Sequence, residues 1–480
     1  MASKRMPLSP VDNAWLRMED PINLMMITGV LMLADPLPYG RLRMVIEQRL
    51  LKLPRFRQRV VTPLLGPAYW EDDPNFDVRS HLHRIALPAP GGRAALQDLV
   101  GDLMSTPLDR SKPPWQFHLV EGYDGGSAII ARLHHCIADG IALVGVLLSM
   151  TDDAADALPE SPLGSPRSRP LNGMLGQTAS LTGAAANGAA RAVAAARAAL
   201  TDDTGLPALS KAGAVALSGA EALARLALLP PDPKTPFKGR LGVAKRAAWS
   251  EPVPVAAVKQ IGQTLGGTVN DILLTAAAGA LRRYLVQIGE PVEGLTIRAA
   301  VPVNLRPISR ALELGNQFGL VFVPLPLGVA EPVARLLTLR DSMEEIKNSP
   351  DALVTYSLLN IVGALPPPLQ FTAFELFGSK VTAVMTNVPG PRQPIYLGGS
   401  RLADIMFWVP QAARLGMGVS ILSYNGNVRL GVATDERLVS QPDIIVDAFH
   451  DEFEMLLRLA RDVAPGLASL MPQGIDRVEA

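Results

Sequence analysis

Midway along the chain the composition breaks. Residues 155–180 are rich in Pro, Ser and Gly, residues 183–229 are dominated by Ala, and Pro230, Pro231, Pro233 and Pro236 close the stretch. Ala favours helix, whereas Gly183, Gly188, Gly213 and Gly219 cut against long uninterrupted segments. Such a run reads as a linker, and 480 residues exceed what one ordinary core holds. Two domains are expected, residues 1–160 and 240–480, joined by an Ala-, Pro- and Gly-rich helical linker over 161–239.

Both flanks mix element types, giving an α/β (α+β mixed) fold class. In the first, Ile22 to Ala34 reads as a strand and Gly40 to Leu53 as a helix stopped by Pro54. Trp115 to Gly122 and Ser127 to His134 read as strands around a Tyr-Asp-Gly-Gly turn, followed by a buried helix from Ile141 to Met150. In the second, Thr268-Val-Asn-Asp271 has capping-box form before a helix to Leu285. Strand-like runs follow at Thr296–Val303, Phe318–Leu327, Val381–Asn387, Leu402–Val409, Gly418–Tyr424 and Val428–Ala433, with helical patterns at Pro332–Lys347 and Asp443–Arg461.

Charge excludes some functions. Forty-five basic residues balance forty-five acidic ones, so no extended nucleic-acid footprint is expected. The single cysteine, Cys136, forbids an internal disulfide and a thiolate metal cluster, and it reads as a small core residue rather than a nucleophile. The first residues lack the apolar run of a signal peptide, which points to the cytoplasm. The uncharged stretch from Ala352 to Phe374 has the length of a membrane span, but it contains Asn360, Gly363 and Pro366-Pro367-Pro368. It is read as a buried helix pair or as an apolar face meeting lipid.

The densest chemical signal is His134-His135-Cys-Ile-Ala-Asp139-Gly140. Adjacent strand residues point to opposite faces, which argues against a shared metal ion and suits a division of labour: one imidazole in a reaction channel, the other supporting the loop. A neutral imidazole is a competent general base. Asp139 is expected to hold the loop with an arginine as partner, and Gly140 to let the chain turn into the helix. No Gly-x-Ser-x-Gly elbow, P-loop or dinucleotide fingerprint is present, so direct transfer without a covalent enzyme intermediate is expected.

These residues resemble the HHxxxDG motif of the acyl-CoA-dependent acyltransferase superfamily. Pro7-Leu-Ser-Pro-Val-Asp12, Leu108 to Trp115, Asn270-Asp271, Val303-Asn-Leu-Arg306-Pro, Gly315-Asn-Gln-Phe-Gly319 and Asn387-Val-Pro-Gly-Pro391 narrow the likeness to the bacterial wax ester synthase/diacylglycerol acyltransferase family. Pro114 departs from it, the family more often having Leu there. The resemblance implies two chloramphenicol-acetyltransferase-like domains with a central channel, acyl-CoA as co-substrate with no further cofactor, and a fatty alcohol or diacylglycerol as acceptor. It implies His135 as the base and Asn270 as an oxyanion donor, Asn270 being equally readable as a helix-capping residue. Arg306 is the implied partner of Asp139, or else a surface arginine, and Asp271 is support for the site. Trp115 is read as core or channel wall. A peripheral membrane or lipid-inclusion surface is a further implied partner. The rival readings are a carrier-protein-dependent condensation enzyme and a non-catalytic lipid-binding protein of the same fold.

Overall fold

The computed structural model describes residues 5–64, 67–156, 228–305, 314–347, 351–364 and 367–470. Most of the expected linker, and Arg306, lie outside them. The first part runs β1 (Met6–Pro7), α1 (Pro10–Met18), β2 (Met26–Leu33), α2 (Tyr39–Gln48), β3 (Gln58–Val61), β4 (Tyr69–Asp72), β5 (Leu82–Ala86), α3 (Arg93–Met104), β6 (Trp115–Tyr123), β7 (Gly126–His134) and α4 (Gly140–Ser149). The second runs β8 (Lys245–Trp249), β9 (Val253–Pro254), α5 (Val255–Leu265), α6 (Val269–Gln287), β10 (Ile297–Asn304), β11 (Phe318–Leu325), α7 (Pro332–Lys347), α8 (Asp351–Ala364), α9 (Pro367–Ser379), β12 (Ala383–Pro389), β13 (Tyr396–Leu397), β14 (Ser400–Trp408), β15 (Met417–Tyr424), β16 (Asn427–Asp435) and α10 (Asp443–Leu470).

Two large sheets organise these elements. One has the order β13-β14-β2-β7-β6-β5, and the other β11-β10-β12-β15-β16-β8 with β9 also paired to β16. Every residue of β2 and β7 is buried, which is why both read as near-continuous apolar runs. The turns of both long hairpins match their residues. Asp124-Gly125 and Asn425-Gly426 all have positive φ, the type I′ geometry that fits the twist of the flanking strands.

The chain crosses its own expected boundary once. β14 lies well past residue 240, yet it pairs antiparallel with β2 in the first sheet, from Trp408 opposite Thr28 to Leu402 opposite Leu33. Periodicity identifies a strand there and says nothing of which sheet receives it. The uncharged stretch 352–374 is divided between α8 and α9, and no helix among the described residues is long and apolar enough to cross a membrane. α8 packs on α1 so closely that a Cβ at Gly363 would lie 1.9 Å from the Pro10 carbonyl.

The second core contains a buried charge cluster. The Arg335 guanidinium on α7 is fully enclosed and pairs with Glu452 of α10, which also accepts from Arg283 of α6. Removing one charge of such a group leaves the others desolvated and unpaired. Glu452→Gln is expected to lower the unfolding free energy by about 3–5 kcal/mol, read from the urea midpoint.

Candidate active site

β7 ends at His134, and the chain then turns through His135 to Asp139 before α4 begins. The two histidines part there. His134 Nε2 lies 2.9 Å from Glu19 Oε2, while its Nδ1 accepts the Cys136 backbone N–H at 3.0 Å. Burial works against charge on this ring, whereas Cys136 and Glu19 raise its proton affinity. The Cys136 N–H fills the Nδ1 lone pair, so the ring's bound proton is the one on Nε2, aimed at Glu19. Burial alone would raise the Glu19 carboxyl, but His134 and Arg110 hold it down, at about 2. The His134 N–H donates to the Pro114 carbonyl at 3.0 Å, so the unusual proline serves this site through its backbone.

His135 faces the other way, into a cavity of about 660 Å³. Its ring stacks on Trp15 of α1, with centroids 4.0 Å apart and 21° between planes, and Phe318 of β11 closes from another side. Its buried Nδ1 has no hydrogen-bond partner among the described residues. Burial lowers its pKa, with His134 acting in the same direction, to about 3. The imidazole is therefore neutral across the physiological range, its lone pair available.

The loop carrying Gly315-Asn316-Gln317 docks on this turn. Asn316 Nδ2 donates to the His135 carbonyl at 2.9 Å and to Asp12 Oδ1 of α1 at 2.7 Å. Asp139 accepts twice, Oδ1 from the Ala142 N–H at 2.9 Å and Oδ2 from the Gln317 N–H at 3.2 Å, while its own N–H donates to the Gly315 carbonyl. The acid thus caps α4 and fastens the two loops together. Gly140 has an ordinary negative φ, against the expectation of a tight turn. Its value is space, since a Cβ there would sit 3.1 Å from Val409 Cγ1.

Across the cavity, Thr268 and Asp271 form both arms of the expected capping box. That fixes the first turn of α6, where Asn270 lines the cavity. Asn387 Nδ2 donates to Asn270 Oδ1 at 2.7 Å, and the buried Asn270 Nδ2 has no partner among the described residues. The structure thus brings His135, Asp139, Gly140 and Asn270 to one cavity, with His134 and Asp271 behind them. Of the two readings of Trp115, core or channel wall, the structure has the first: it is not among the described lining residues, lies fully buried in the first core beside Phe56 and His81, and donates its Nε1–H to the Phe56 carbonyl. Cys136 is likewise buried in that core. Sequence reasoning assigned no role to Trp15, Glu19, Asn316 or Asn387. The last two stand in segments it had singled out, whereas nothing local marks Trp15 or Glu19.

The fold places the chain in a class. It superposes on a wax ester synthase/diacylglycerol acyltransferase from Marinobacter aquaeolei VT8 with a TM-score of 0.68 at 23% identity, covering 95% of this chain and 100% of that one. The first condensation domain of the calcium-dependent antibiotic synthetase has the same fold, with a TM-score of 0.61 at 14% identity and 97% and 98% of the chains covered. Sequence is more specific. Residues 8–273 match the wax ester synthase/diacylglycerol acyltransferase catalytic domain, and residues 314–457 the C-terminal domain of that family. A probable diacylglycerol O-acyltransferase of Mycobacterium tuberculosis H37Rv is 32% identical over 426 residues, 87% of each chain. The chain belongs to the wax ester synthase/diacylglycerol acyltransferase family.

Asn316→Ala removes one amide donor from both the Asp12 carboxylate, whose pKa burial already raises, and the His135 carbonyl. A loss of about 1–3 kcal/mol in denaturant unfolding is expected.

Proposed function

We propose that this acyltransferase moves an acyl group from acyl-CoA to the hydroxyl of a fatty alcohol, a diacylglycerol or both, giving wax ester or triacylglycerol by direct transfer. The observation that carries the mechanism is the neutral His135 imidazole set into a largely apolar cavity that Asn270 also lines. His135 takes the hydroxyl proton as the acceptor oxygen bonds to the thioester carbonyl carbon. The unpartnered Asn270 Nδ2–H stabilises the oxyanion that forms, with Asn387 holding the amide in that orientation. When the C–S bond breaks, the imidazolium returns its proton to the departing sulfur and CoA leaves as the thiol.

In this reading the two sheet-rich lobes correspond to chloramphenicol-acetyltransferase-like domains, residues 1–160 and 240–480 with β14 crossing over, and the cavity is the channel between them. Arg306 retains its proposed place beside Asp139. Lipid contact fits α9, where Leu369 and Phe371 are exposed on the helix whose Phe377 lines the cavity. Flotation with liposomes should weaken in Leu369→Ser/Phe371→Ser; unchanged flotation would remove α9 from that role.

Palmitoyl-CoA supplied with hexadecanol or dipalmitoylglycerol, and no carrier protein, should release CoA in an acceptor-dependent way. His135→Ala should lower the rate by about 10²–10⁴-fold. Turnover requiring an acyl carrier protein would favour the condensation-type reading. Acceptor-independent binding without turnover would favour a lipid-binding protein.

The pH profile offers a separate check. The base works when neutral, and its folded pKa lies below the ordinary value of about 6.5. Protonation thus removes the active form only as pH falls well below that value. The acid limb of kcat/KM should lie below pH ~5; a limb near 6.5 would show an unperturbed imidazole.

A further inference from the structure

The cavity wall is uneven in charge. Among its described lining residues the cations are Lys259, Lys347 and Arg392, and the sole carboxylate is Asp139, both of whose oxygens accept backbone N–H groups at the histidine loop. The three cations come from three segments of the wall, and those carrying Arg392 and Lys259 are joined through Asn425-Gly426. Arg392 follows Pro391, whose carbonyl accepts the Asn425 N–H at 2.9 Å, and the adjoining Gly426 carbonyl accepts the Val255 N–H at 2.9 Å. Val255 opens α5, and Lys259 stands four residues on, hence on the same helix face, with Val255 also lining the cavity. Lys347 closes α7, where Met343 and Ile346 share its cavity-facing side. Lys259 and Arg392 are exposed and Lys347 is half-buried, as expected of a rim, whereas Phe377, Leu320 and Val409 make other parts of the wall apolar.

We propose that Lys259, Lys347 and Arg392 form the docking site for the phosphates of the CoA nucleotide. This rests on the acyl-CoA reading above and adds to it the rim by which the donor enters. CoA carries a diphosphate and a 3′-phosphate, and the cations present matching charge, with Asp139 the sole carboxylate among the described lining residues. The pantetheine arm then runs from this rim past the first turn of α6 toward Asn270 and His135, which line the same cavity. The cations act on donor binding and leave the chemical step alone.

The test compares the intact protein with Lys259→Glu/Arg392→Glu by calorimetric titration of CoA and of 3′-dephospho-CoA. It is paired with initial rates on palmitoyl-CoA and palmitoyl-pantetheine thioester, with hexadecanol as acceptor. Reversal of two charges should weaken CoA binding and raise the KM for palmitoyl-CoA by about tenfold or more. The values of kcat, and KM for the pantetheine thioester, should stay within about twofold. Unchanged CoA binding in the variant would overturn the proposal, as would equal losses with both thioesters, which would mean a disturbed cavity, or failure of the unsubstituted protein to bind CoA. Nucleotide binding that depends on the two cations, in a protein that turns over neither thioester, would support the docking site while defeating the acyltransferase reading.

Discussion

The docking of the 314–317 loop on the histidine turn is the contact from which the site follows. Gly315, Asn316 and Gln317 leave no slack in residues 135–139, because the Asp139 N–H, the His135 carbonyl and an Asp139 oxygen are all engaged from across the fold. The same Asn316 amide reaches Asp12, and so fixes the helix that lays Trp15 on the His135 ring. A general base needs orientation as much as basicity. Here the orientation comes from a face-on indole and a pinned backbone, since among the described residues no carboxylate sits on the ring's buried nitrogen.

The adjacent histidines illustrate how one sequence step can separate two electrostatic environments. His134 turns toward Glu19, whose charge is maintained with the help of Arg110, and becomes part of a buried polar network. His135 turns into apolar surroundings, where desolvation keeps it unprotonated. Burial disfavours charge on both rings; at His135 it prevails, whereas at His134 the Glu19 carboxylate and Cys136 outweigh it.

Much of this was legible in residue order. Paired turns with Asp-Gly and Asn-Gly, the Thr268–Asp271 box and the limits of α7 follow from local backbone preferences, and local preferences are what a sequence displays. The motif placed His135, Asp139 and Asn270 in contention, but parity could not decide which histidine faces the cavity, because the turn after β7 breaks the strand period. Trp115 stayed open between core and channel wall for a related reason: a large aromatic beside a motif strand suits either face until its neighbours are known. Trp15, Glu19 and β14 depend on contacts between distant parts of the chain, for which the sequence carries no local sign.

The crossing of β14 bears on how such a chain is made. Until residue 408 has left the ribosome, β2 offers unpaired N–H and C=O groups along one side, and a waiting strand edge is a template for any other extended segment nearby. The first sheet can be complete only after the strands of the second part up to β14 have been made. Its assembly therefore falls among the slow, long-range steps in which a nascent chain is most exposed to mispairing.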